Sequence, residues 1–93
     1  METLEKTEQE NLTKSRLQIS LLKDIAFHTR DYLEKLATIQ LDLEIDIKEA
    51  ELAKQAGELF AKENEFNERL TGFISDYEMH CNRLEQGIGP AVG

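Results

Sequence analysis

Apolar side chains recur along this chain at alternating intervals of three and four residues, the repeat that gathers them on one face of an α-helix. From residue 12 to 50 the seam reads Leu12, Ser15, Ile19, Leu22, Ala26, Thr29, Leu33, Leu36, Gln40, Leu43, Ile47 and Ala50. A second seam, from 52 to 84, reads Leu52, Ala56, Leu59, Glu63, Phe66, Leu70, Phe73, Tyr77, His80 and Leu84. Extending the first count beyond Ala50 lands on Lys54 and Gly57, so the phase slips by two residues near position 50. Each stripe is widened along one edge, the first by Ile25, Tyr32 and Ile39, the second by Phe60, Ile74 and Cys81. Three apolar positions in seven suit a helix with bundle neighbours better than a bare two-stranded coiled coil.

One segment departs from this period. Ile39 to Ile47 alternates strictly between apolar and polar residues, the pattern of a half-buried strand. Acidic or amide residues fill its polar face and neither Gly nor Pro bounds it, which favours helix; a strand or a chain reversal within 37–51 is the alternative. Acid-to-base pairs four residues apart, at Glu10/Lys14, Asp31/Lys35, Glu44/Lys48, Glu58/Lys62 and Glu65/Arg69, add a few tenths of a kcal/mol each to a helix.

Breaks are few. Gly87 with Pro90 just beyond predicts a helix ending near Gln86, with Ile88 folding back on the last turn. At the other end Thr7 and Glu10 have capping-box spacing, and Asn11 or Thr13 are further caps. The expected organisation is an acidic, partly disordered segment over 1–9, a helical domain over 10–86 and a flexible tail over 87–93. The fold class is all-α. Three arrangements fit: a long helical hairpin pairing roughly 10–40 with 50–86, a three-helix form broken near Thr29 or Gly57, and a continuous rod of roughly 115 Å. Drift of some apolar positions toward an 11-residue repeat supports the rod. Charge supports the hairpin or an antiparallel partner: residues 11–38 sum to +2, 39–58 to −4 and 59–93 to −3. Arg16, Lys23 and Arg30, seven apart beside the first seam, either face acids of a neighbouring helix or are simply solvated.

Composition narrows the function. Ninety-three residues with 40% hydrophobic and 32% charged content make one small domain, marginal at burying a core alone. No apolar run approaches the ~18 residues of a membrane span, and the acidic start does not resemble a targeting peptide, so a cytoplasmic or other intracellular aqueous setting is expected. The net charge of −8 opposes nucleic acid and anionic lipid. A single cysteine, Cys81, excludes an internal disulfide. Asp24/His28 and Asp76/His80 each share a helix face, but a metal site needs three or four converging ligands. His80 and Glu63, polar groups in the second seam, either tune or register an assembly or are ordinary interface residues. No phosphate loop, nucleophile elbow or triad framework is present, so the chain reads as a non-enzyme without cofactor, metal or small-molecule substrate.

What remains is interaction. The stripes predict a small helical subunit, adaptor or assembly module that completes its bundle by oligomerisation or partner binding, with Leu33, Leu36, Leu59, Phe60, Phe66, Leu70, Phe73 and Tyr77 as the partner interface. The alternative is a small acidic inhibitor or chaperone-like protein capping a basic or hydrophobic surface, for which the acidic block from Asp42 to Glu51 is the signal.

Overall fold

The computed structural model describes residues 2–88, with side chains from 7 to 87. Two helices, α1 (Glu2–Ile45) and α2 (Ala50–Ile88), account for all of it except the connection at 46–49. The fold is an all-α helical hairpin, and no strand occurs among the described residues. The alternating segment is helical through Ile45, and the reversal follows directly, inside the 37–51 window and at the phase slip. Neither the rod nor the three-helix form is adopted. Thr29 does not break α1 because its hydroxyl donates to the Ile25 carbonyl at 2.9 Å, satisfying itself within the helix. Gly57 and Gly72 are both interior to α2.

The reversal uses no glycine or proline. The amides of Asp46 and Ile47 both donate to the Asp42 carbonyl, at 3.0 and 2.9 Å, and Glu49 N–H donates to Leu43 at 2.9 Å. These bonds close the end of α1, while Lys48 takes the left-handed conformation at φ 60°. The Glu49 carbonyl then accepts from Ala53 at 2.9 Å, beginning α2, and Glu51 in its first turn suits the positive end of the helix dipole. The termini depart from expectation. α1 already runs from Glu2, so Thr7, Asn11 and Thr13 are interior to it, and Thr13 donates back to Gln9. α2 passes through Gly87, which lacks the positive φ of a cap, to Ile88. The Ile88 side chain and residues 89–93 lie outside the described residues.

The hairpin comprises two compact units. In the first, formed by the described parts of Met1–Asp24 and Gly72–Gly93, Ile19, Ile74 and Cys81 are buried, with Leu12, Leu22 and Tyr77 half-buried beside them. Arg16 Nη2 reaches Glu85 at 2.7 Å and Asn82 at 3.0 Å, and Lys23 Nζ lies 3.4 Å from Glu78. Two of the three seam-flanking bases therefore face acids across the pair, each bridge contributing about 0.2–1 kcal/mol at these exposed sites.

The second unit, Ile25–Thr71, contains the reversal. Its buried residues are Ala26, Thr29, Ala53, Ala56 and Leu70, with Leu33, Leu36, Gln40, Leu43, Phe60, Glu63, Asn64 and Asn67 half-buried. The Gln40 side chain covers Gly57: a Cβ there would lie 3.0 Å from Gln40 Nε2. The α1 seam matches the expected residues from Leu12 to Leu43, whereas Ile47 and Ala50 are exposed at the reversal. On α2, Asn67 Oδ1 is buried without a hydrogen-bond partner. An orphaned acceptor costs about 1–3 kcal/mol. Asn67→Leu is therefore expected to raise the unfolding free energy by about 1–3 kcal/mol in urea melts; an unchanged or lower midpoint would show that the amide is satisfied.

Candidate functional site

Side chains flanking a seam sort by which side of it they fall on. A residue immediately before a seam residue lies on one edge of its helix, and a residue immediately after lies on the other. In an antiparallel pair the two before-edges share one face, and the two after-edges share the opposite face. The first unit confirms the sorting: Arg16 and Lys23 follow Ser15 and Leu22, Glu78 follows Tyr77, and they pair across the after-side. On its before-side Leu21 and Phe73 line a shallow groove with Gln18, Leu22 and Tyr77. Tyr77 Oη donates to Gln18 Oε1 at 2.5 Å.

In the second unit the same sorting gathers large apolar residues on the before-side. Ile25, Tyr32 and Ile39 precede Ala26, Leu33 and Gln40 on α1; Leu52, Leu59 and Phe66 precede Ala53, Phe60 and Asn67 on α2. All six are between 44% and 59% exposed. The after-side of this unit is mixed, with Phe27, Arg30, Ala37, Leu41 and Glu44 on α1 and Lys54, Gly57, Asn64 and Thr71 on α2. Phe27 and Leu41, also exposed, follow Ala26 and Gln40 and so lie off the apolar face.

The distribution of size is inverted relative to an ordinary core. In unit 2 alanine and threonine occupy four of the five buried positions, while Ile25, Tyr32, Ile39, Leu52, Leu59 and Phe66 stand half in water. Small residues let two helices approach closely but bury little apolar surface. Covering the exposed half of six large side chains would stabilise by about 5–9 kcal/mol before association costs. That is comparable with the whole stability of a small domain, ~5–15 kcal/mol.

The residues expected to form a partner interface divide accordingly. Leu59 and Phe66 lie on the exposed face of the second unit, and Phe73 on that of the first. Leu70 is buried inside the hairpin, and Leu33, Leu36, Phe60 and Tyr77 are half-buried in its seam. The α2 seam matches the expected row at Ala56, Glu63, Leu70 and Tyr77 and sits one position on at the alternate places: Phe60, Ile74 and Cys81 are within it, while Leu52, Leu59, Phe66 and Phe73 fall outside. Ile25, Tyr32 and Ile39, legible only as a widened edge, belong to the face. His80 is exposed, which removes it from the seam; Glu63 is half-buried within it.

The rest of the surface offers little chemistry. No group of three or more His, Cys, Asp or Glu among the described residues is placed to hold a metal ion. Cys81 is a free thiol with no exposure. Among the described residues no helix is long and apolar enough to cross a membrane. No family model matches the sequence, and neither a curated protein nor a solved structure matches it.

Proposed function

We propose that this chain is a non-enzymatic protein–protein interaction module, a small helical subunit or adaptor that assembles through the before-side face of its hairpin. One observation carries the reading: in unit 2 the large apolar residues Ile25, Tyr32, Ile39, Leu52, Leu59 and Phe66 share one exposed face, while smaller residues fill most buried positions. Contiguous apolar faces of this kind mark association surfaces, because water contact at each half-exposed side chain is unfavourable and another surface relieves it. The reading is tested by combining sedimentation with binding of an apolar fluorescent dye. Either self-association or dye binding by the monomer is expected. A stable, compact monomer that binds no dye overturns the reading.

A second function is favoured by the hairpin tip. Asp42, Glu44, Asp46, Glu49 and Glu51 are all exposed around the reversal, with Lys48 and Lys54 the only bases among them. This acidic end suits an inhibitor or chaperone-like protein capping a basic surface. Such binding would weaken steeply with added salt, whereas association through the apolar face would not.

A further inference from the structure

We propose that the apolar face of unit 2 is closed by a second copy of this chain, the two hairpins packing face to face as a two-fold, four-helix dimer. This deepens the interaction-module reading and rests on it. Three observations select a second copy as the occupant.

The first is width. The exposed rows lie on both helices, Ile25, Tyr32 and Ile39 on α1 and Leu52, Leu59 and Phe66 on α2. Each row runs over fourteen residue steps, about 21 Å at 1.5 Å per step. With helix axes about 8–10 Å apart, the layer is roughly 20 Å across. A second hairpin is a layer of the same width carrying the same two rows. The second observation is area. Six half-exposed large side chains from each copy place the contact at roughly 1,000–1,200 Å² in total, at the threshold for a specific interface. The three-in-seven stripe on each helix is also the pattern of a four-helix bundle, in which every helix has two neighbours.

The third is charge. Two copies of a chain carrying −8 repel, and the contact forms where that repulsion is weakest. The positions completing the before-side rim of unit 2 are His28, Lys35 and Asp42 on α1 and Gln55, Lys62 and Arg69 on α2. Only Asp42 among these six is acidic. The acids Asp31 and Glu65 stand one turn behind the rim, bridged to Lys35 and Arg69 at 3.0 Å each. Two of the rim's three lysine and arginine side chains are thereby paired with acids of their own helix. A closed two-fold contact uses the same patch twice, so the uncovered face on one copy is met by the uncovered face on the other.

The test is sedimentation equilibrium of the full chain between 1 and 200 μM (concentrations chosen to span roughly micromolar dissociation constants), with Phe66→Glu on the face and Leu41→Glu off it. The expected result is a reversible dimer of the wild type and of Leu41→Glu, with the dissociation constant raised about a hundredfold or more by Phe66→Glu. Should Phe66→Glu lose helical circular dichroism, Leu59→Cys and Leu41→Cys replace it, each read by maleimide labelling. Dimerisation predicts labelling at Leu59→Cys that slows with increasing protein concentration, and labelling at Leu41→Cys that does not. A folded wild-type monomer throughout the range overturns the second copy as occupant. If that monomer binds an apolar dye and Phe66→Glu abolishes the binding, the interaction-module reading survives with a different protein on the face; if it binds none, both fail. A dimer that Leu41→Glu disrupts and Phe66→Glu spares also overturns the proposal.

Discussion

Leu70→Ala is expected to lower the unfolding free energy by about 2–5 kcal/mol, the range for truncating a buried leucine where the surroundings cannot collapse into the space. Leu70 is 7% exposed and is the largest of the buried side chains of unit 2, where the others are alanines and a threonine. The hairpin is a single layer of two helices, so few apolar groups are available to refill the site. Leu59, of identical composition but 59% exposed, provides the comparison. At a protein concentration low enough to keep the chain monomeric, Leu59→Ala is expected to cost less than about 1 kcal/mol. Urea melts of both variants at one concentration measure the difference. Equal losses would place Leu59 inside the hairpin and contradict the assignment of its row to the outer face.

The second large effect has the opposite chemistry. Ala56→Leu adds apolar volume and raises hydrophobicity, yet it is expected to destabilise by about 1–3 kcal/mol or to force the helices apart. Ala53 and Ala56 are 4% and 6% exposed in the first two turns of α2, beside Gly57, whose missing Cβ admits the Gln40 side chain. Close helix approach here depends on small residues, and the short connection at 46–49 gives the pair little freedom to separate. A rise in melting temperature for Ala56→Leu would mean that the contact has space for a larger residue, and that the size inversion between inside and outside is not obligatory.

Together these expectations define the division of labour across α2. Its inner row begins with small residues at Ala53 and Ala56 and is closed farther along by Leu70, Ile74 and Cys81. Its neighbouring row, Leu52, Leu59, Phe66 and Phe73, is uniformly large and uniformly half-exposed. A polypeptide that places its bulk outside and its small residues inside has a stability coupled to whatever covers that bulk, so its melting is expected to depend on concentration when the cover is protein.

Much of this architecture is legible in the residues alone. The three-and-four spacing predicted helix along most of the chain while leaving hairpin, three-helix and rod arrangements open, and on α1 it placed the inner seam residue by residue from Leu12 to Leu43. It succeeds there because one row is plainly more apolar than its neighbours. The phase slip near position 50 marked the reversal for the same reason: a seam that faces one partner cannot change register within a straight helix. On α2 two adjacent rows, seven residues apart within each, are both apolar, and periodicity cannot rank them. Hydrophobicity pointed to the larger side chains as the inner row, whereas close packing of two helices requires the smaller ones. Ala56 and Leu70 were already legible in the seam, but only the tertiary arrangement decided that Ala53 and Phe60 lie within while Leu59 and Phe66 lie without. It also decided that the chain turns at 46–49 without glycine or proline, because carbonyls left open by α1 are satisfied by the turn amides while Lys48 adopts a left-handed conformation that no local sequence signal specifies.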